Sequence, residues 1–140
     1  MTHINLASLE VGQEIGSQEF VLTRDSLVRY AGASGDFNTI HYRDDIAQAV
    51  GLPGVLAHGM LTMGISIQPV VSWIGDAGQV VDYGVRFTKP VVVPAHGHAA
   101  LSVTATIGAL DEEAKRARVD LTTTFEENTV LGKAQVWVQF

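Results

Sequence analysis

The chain contains no cysteine at all. That excludes disulfide staples and thiolate zinc sites, so one hydrophobic core must hold the fold. There is no run of Lys or Arg, and the net charge is −6. A nucleic-acid binder of this size would carry a basic face, so nucleic acid is not expected as a partner. No segment is long enough for a membrane span. The longest apolar run, "MLTMGISIQPVVSWIG", is short for one and is interrupted by Gln68 and Pro69. The opening "MTHINLASLEVGQEIG" lacks the basic start and apolar centre of a secretion signal, and a cytoplasmic location is expected. Internal repeats, low-complexity tracts and linkers are missing too. What is present is 140 residues, the size of one ordinary domain, expected to span residues 1–140. A chain of this length buries about two-thirds of its unfolded surface.

The first half reads as helical and the second as strands. Residues 1–22 look irregular, with a short strand at Glu19–Leu22. Thr23 is placed to cap a helix, Asp25 suits its first turn, and Leu27, Val28 and Ala31 lie at helical spacing; Gly32–Gly35 ends it. Asp36–Tyr42 reads as a loop. A short helix follows over Arg43–Val50, with Asp44 and Asp45 at its positive end and Gly51 beyond it. His58–Gly75 is apolar on nearly every side, which predicts a helix buried all round and kinked at Pro69. Four Val-, Thr- and aromatic-rich segments then alternate in part: "VVDYGVRFTKPVVV", "GHAALSVTATIGAL", "ARVDLTTTFEEN" and "VLGKAQVWVQF". Short turns at "DEEAK" and "EENT" predict an antiparallel meander. The economical arrangement is α+β, a curved antiparallel sheet wrapped around the long helix.

Polar chemistry concentrates in "YAGASGDFNTIHYRDDIAQAVGLPGVLAHGM". Asp36 and His41 stand five residues apart in a Gly-rich, turn-forming stretch, and His58–Gly59 opens the apolar helix. Taken alone, "GDFN" is a turn, because Gly, Asp and Asn all favour turns. Together with His41 and "AHGM", the same residues offer two groups of different basicity beside a helix start. His96 and His98 fall at i, i+2 in "AHGH" and would share a strand face, but no third metal ligand accompanies them, and a surface turn is expected.

"SGDFNTIH" and "AHGM" in this layout resemble the MaoC-like (R)-specific enoyl-thioester hydratase/dehydratase family of hot-dog folds. Within it, the resemblance is to HadB-type (3R)-hydroxyacyl-carrier-protein dehydratase subunits. It covers almost the whole chain, from "LTRDSLVRYAGASGD" through "LAHGMLTMG" to "YGVRFTKPVVVP". The family motif is Gly-Asp-x-Asn-Pro-x-His. Gly35, Asp36, Asn38 and His41 match it, and Thr39 stands in place of Pro. The resemblance implies a hot-dog fold, Asp36 and His41 as the catalytic residues, and a backbone oxyanion contact from Gly59. Asn38 and His58 would support the substrate site. Some relatives orient the carboxylate with a Ser further along the helix; that position falls at Ile67, so the role is not carried over to the adjacent Ser66.

Hydration of a trans-2-enoyl thioester needs an activated water, a proton for the α carbon and stabilisation of an enolate-like oxygen. His titrates near neutral pH and can take and give protons, and Asp36 can hold and orient the water. A helix N-terminus carries unpaired N–H groups and partial positive charge, and Gly lets a substrate approach closely. Arg86 and Lys89 are candidate contacts for the phosphates of an acyl-carrier-protein or CoA thioester. No cofactor or metal is required by this scheme. Side-by-side pairing of two sheets, as a homodimer or with a related hot-dog subunit, is expected because strands such as "AQVWVQF" would leave a sticky edge. Two other functions fit the same fold. One is a hot-dog thioesterase, which the Asp36/His41 pair disfavours. The other is a non-catalytic acyl-binding subunit, which would dispense with that pair.

Overall fold

The computed structural model describes residues 4–140; the expectation for residues 1–3 lies outside the described residues. Asn5 caps a single 3-10 turn at Leu6–Ser8 by accepting from the Ala7 N–H. The first strand, β1, runs over Glu14–Leu22, longer than the Glu19–Leu22 expected, and it bulges between Glu14 and Gly16. It pairs on one side only, so most of its side chains face water and only Leu22 is buried. An edge strand of this kind lacks the apolar alternation by which strands are read.

Helix α1 spans Arg24–Ser34. Thr23 and Ser26 form a reciprocal capping box at its start, and Gly35, at φ +77°, takes the left-handed turn that ends it. Helix α2 spans Asp44–Ala49. The long apolar segment forms two helices, α3 over Gly59–Ser66 and α4 over Gln68–Ile74, broken at Ile67 with Pro69 in the first turn of the second. That break agrees with the expected kink. The expectation of burial on all sides fails. Thr62, Ser66, Pro69, Val70 and Ile74 face inward, while Met60 remains 59% and Val71 45% exposed. On α3 the inward positions are held by the small Thr62 and Ser66, whereas on α4 Val70 and Ile74 turn in beside Pro69.

The remaining strands are β2 (Gln79–Phe87), β3 (Ala99–Asp111), β4 (Arg116–Phe125), β5 (Asn128–Thr129) and β6 (Leu131–Gln139). The sheet is antiparallel in the order β1-β3-β4-β6-β2, with the two-residue β5 on β4. The predicted meander therefore holds only for β3, β4 and β6. β2 crosses to the far edge and pairs with β6, because the connection after it, containing Pro90 and Pro94, cannot close a tight hairpin. For the same reason "AQVWVQF" is not an exposed edge: β6 lies between β4 and β2, and the free edges belong to β1 and β2.

The core is the inner face of this sheet. Ala99, Leu101, Val103, Ala105 and Ile107 of β3 alternate inward, as do Ala117, Val119, Leu121 and Thr123 of β4. In β6, Lys133 at φ +44° shifts the alternation by one, so that Leu131 and then Ala134, Val136 and Val138 all point in. Each fully buried Val or Leu contributes about 1.5–3 kcal/mol of transfer free energy. The connection after β2 is put to use as well. Val93 N–H donates to Val55 C=O and Ala57 N–H to Val91 C=O, which stitches residues 91–93 to the strand-like entry of α3.

Candidate active site

The loop after α1 is held by its own short polar side chains. The Asp36 carboxylate accepts from Asn38 N–H (3.2 Å), and Asn38 Oδ1 accepts from Ile40 N–H (3.2 Å), capping a 3-10 turn at Thr39–His41. Asn38 thus serves the loop backbone. Thr39 begins the turn where the motif has Pro; backbone bonds from His41, Tyr42 and Arg43 back to Asn38 and Thr39 supply the rigidity that a proline ring would give. The turn delivers His41 inward. Its Nδ1 lies 2.7 Å from the Leu56 carbonyl. A carbonyl only accepts, so Nδ1 donates there, and Nε2 makes no hydrogen bond among the described residues. Arg24 braces this frame from outside, with Nε on the Val93 carbonyl and a two-pronged pair to Asp44, joining α1, α2 and the crossover segment.

His58, the residue before α3, is buried beneath the loop. It stacks on His41 with ring centroids 3.9 Å apart and meets Tyr30 edge-on at 4.8 Å. Its Nε2–H donates to the Asp36 backbone carbonyl at 3.1 Å, and its Nδ1 has no hydrogen-bond partner among the described residues. Burial pushes this ring below the usual histidine range, against a smaller opposing effect of the Asp36 carbonyl. The sequence pair thus becomes a trio. One side-chain donor atom from each of Asp36, His41 and His58 lies within 4.8 Å of the other two. A water bonded to two groups at about 2.8 Å each spans a gap of this size. Of the four ring nitrogens, two are already spent on backbone carbonyls, His41 Nδ1 on Leu56 and His58 Nε2 on Asp36.

Gly59 is the first residue of α3 and lines a cleft of about 340 Å³ with His41, Thr62, Val91, Val130 and Leu131. The floor is formed by the buried Thr62, Val91, Val130 and Leu131, and the mouth by exposed Phe87, Thr88, Lys89 and Pro90. A Cβ at Gly59 would stand 2.9 Å from Phe87 Cε1, so the ring rests where a side chain would be. Asp36 is exposed at the edge of this cleft rather than in its wall. Lys89 reaches the mouth, where its Nζ donates to Asn128 Oδ1 (2.7 Å). Arg86 lies on the exposed edge of β2, away from the lining. His96 and His98 sit on an exposed turn, apart from the trio, and join no other ligand group among the described residues.

Several residues that build the site carried no signal on their own. Leu56 acts through its carbonyl and Tyr30 through its ring edge. Thr62 and Ser66 did leave one: two hydroxyls at i, i+4 in an apolar run. Thr123 Oγ1 donates to Ser66 Oγ (2.9 Å), which donates to the Thr62 carbonyl (2.7 Å), all three residues being buried. Tyr83 donates its hydroxyl to the Met63 carbonyl (2.7 Å), and burial pushes its pKa up to about 12, so it stays a donor.

A fold and a constellation of this kind define a class. The chain belongs to the MaoC-like domain family, whose profile matches residues 7–125. A 3-hydroxyacyl-thioester dehydratase X of Mycobacterium tuberculosis is 40% identical over 74 residues, covering 53% of this chain and 25% of that protein. The chain therefore spans about a quarter of that curated relative. A solved MaoC-like dehydratase is 37% identical with a TM-score of 0.91, over 96% of this chain and 42% of the other. An (R)-hydratase from A. caviae involved in PHA biosynthesis gives a TM-score of 0.83 at 20% identity, over 95% and 98% of the two chains, a likeness of fold. The α+β hot-dog expectation is borne out.

Proposed function

We propose that the chain catalyses the reversible addition of water to trans-2-enoyl thioesters, giving (3R)-hydroxyacyl thioesters, in fatty-acid metabolism in the cytoplasm. The observation that carries this is the pairing of a carboxylate with a histidine whose Nδ1 is anchored on Leu56 C=O, beside a cleft with an apolar floor. In this reading the water lies between the Asp36 carboxylate and His41 Nε2. Its oxygen bonds to the β carbon, one of its protons passes to the pair, and a proton from the pair reaches the α carbon. The thioester oxygen gains negative charge as the double bond is lost and lies against the Gly59 N–H at the start of α3. Dehydration reverses each step. The dehydratase names of the relatives support the same class.

The carrier is an acyl-carrier-protein or CoA thioester, its phosphates meeting Lys89 at the cleft mouth and Arg86 further along β2. We read residues 1–140 as one MaoC-like hot-dog unit that pairs with a second hot-dog subunit, itself or a related chain. The free β2 edge, with the exposed Val81 on it, and the exposed Met60 and Val71 of the two helices favour this. The test is the absorbance of the conjugated enoyl thioester with crotonyl-CoA. Loss of the band through water addition is expected; thiol release instead would mark a thioesterase, and no turnover a binding subunit. Asp36→Asn and His41→Ala should each lower turnover by about 10²–10⁴-fold. The double variant should lose little more than the worse single one, since the two groups serve one step. Folded single variants with near wild-type turnover would sink the proposal.

A further inference from the structure

Resting on that reading, we infer that His58 is a positioning residue: a neutral strut that ties the Asp36 loop, the His41 ring and the start of α3 into one rigid unit. Three contacts carry this. Its Nε2–H holds the Asp36 backbone carbonyl at 3.1 Å, which fixes the residue bearing the carboxylate. Its ring stacks on His41 at 3.9 Å, so the imidazole pinned at one edge by Leu56 cannot tilt about that hydrogen bond. Its own backbone is the N-cap of α3, and the next N–H along the chain is that of Gly59. One residue, by its ring and its backbone, therefore links all three elements. Tyr30 of α1 closes the fourth side, edge-on at 4.8 Å.

The strut works only as an uncharged ring with its proton on Nε2. That tautomer lets Nε2 donate to a carbonyl, and it leaves Nδ1 as a bare acceptor in a place where nothing donates to it among the described residues. A second proton on Nδ1 would be buried without an acceptor. The titratable groups facing the ring are His41 and Asp36 from the loop; Tyr30 presents its ring edge from α1. An orphaned acceptor is a cost that a structural histidine would shed by substitution to an apolar residue. Here the donor on the opposite nitrogen and the flat face on His41 are both in use, and few side chains provide the two together.

The experiment compares His58→Gln and His58→Ala. Gln can reach the Asp36 carbonyl with an N–H from about the position of Nε2 but has no ring to stack; Ala has neither. With crotonyl-CoA, His58→Ala should lower kcat by about 10²-fold, the cost of a small misplacement of reacting groups, with KM changed far less. His58→Gln should recover a substantial part of that loss. A second readout needs no turnover: nitrogen chemical shifts of His58 in the wild-type chain should report a neutral Nε2–H ring. The backbone signals of Asp36 and His41 should shift and broaden in His58→Ala and less so in His58→Gln. Equal kcat in the wild type and His58→Ala, or no difference between the Gln and Ala variants, would overturn the inference. If the wild type turns over no enoyl thioester, the functional proposal fails, and the nuclear magnetic resonance data decide the strut separately. Unchanged Asp36 and His41 signals in His58→Ala, or an Nδ1–H ring in the wild type, would then reject it. Should His58→Ala fail to fold, the nitrogen shifts of the wild-type ring decide, a neutral Nε2–H ring supporting the strut and an Nδ1–H or charged ring overturning it.

Discussion

Replacing Gly59 by Val separates two uses of one glycine. A Cβ there would lie 2.9 Å from Phe87 Cε1 and 3.2 Å from Cδ1 and Cζ. Carbon atoms in good contact stand about 3.5–4.0 Å apart, so the ring must retreat by more than half an ångström. It can do so: Phe87 ends β2 and is 56% exposed. The stability cost should therefore sit near the low end for overpacking, about 1 kcal/mol, a few degrees in Tm. Turnover should respond quite differently. The backbone N–H survives the substitution, but the branched side chain stands where a thioester oxygen would have to approach it. The expected loss is on the order of 10²–10³-fold in kcat, or roughly 3–4 kcal/mol, as for removal of an oxyanion donor. The assay is crotonyl-CoA hydration, with circular dichroism and thermal melting of the same samples. Gly59→Val/Phe87→Ala is the control, since it removes the steric conflict and leaves the obstruction. A folded Gly59→Val variant with wild-type turnover would refute the proposed oxyanion contact. A double variant restored to wild-type rate would show that the glycine serves only to seat Phe87.

Three further outcomes are expected. Ser66→Ala strands the buried Thr123 hydroxyl and should cost about 1–3 kcal/mol, whereas Thr123→Val leaves Ser66 bonded to Thr62 and should cost about 0.5–1.5 kcal/mol; denaturant titration of the double-mutant cycle should show less than additive loss. Unfolded His58 takes a proton near its ordinary 6.5, while the folded ring does so only at lower pH, so its contribution is intact above 6.5 and declines as pH falls from there through the folded value. His58→Gln should flatten that part of a stability–pH curve, and an unchanged slope would count against a depressed ring. Sedimentation at micromolar concentration should show a dimer or larger, weakened by Val81→Lys on the free edge of β2; an active, well-behaved monomer would exclude the pairing.

The readable parts of the sequence were those governed by local physics. Thr23, Gly35, Gly51 and Pro69 act within a turn of themselves, and each marks the boundary it was expected to mark. Asp36 and His41 were legible because a five-residue loop fixes their proximity whatever the rest of the chain does. Strand order was not. Nothing in the composition of "VVDYGVRF" says whether it pairs with β3 or β6; that depends on how residues 88–98 travel, a question of tertiary path. The inward Thr62 and Ser66 contradicted the apolar-helix rule for a similar reason. The rule treats the helix alone, while the sheet offers a hydroxyl at Thr123 and, at the outer face, nothing that covers Met60 among the described residues. The anchor on Leu56 was invisible because a backbone carbonyl leaves no trace in residue identity.

The stitching of residues 55–57 to residues 91–93 has a bearing on how the protein is made. Leu56 donates to Ile40 C=O, accepts from His41 and bridges to Val92, so the anchor of the histidine is itself fastened by chain synthesised much later. β1, which leads into α1, likewise waits for β3. A ribosome that has emitted the chain through α3 has released Asp36, His41, His58 and Gly59 and has no assembled site. Contacts so far apart in sequence close slowly, and little rewards them until the late partner arrives. The nascent protein therefore passes through a stage in which these residues exist without their geometry, and the candidate site takes shape only when the crossover after β2 locks against the entry of α3.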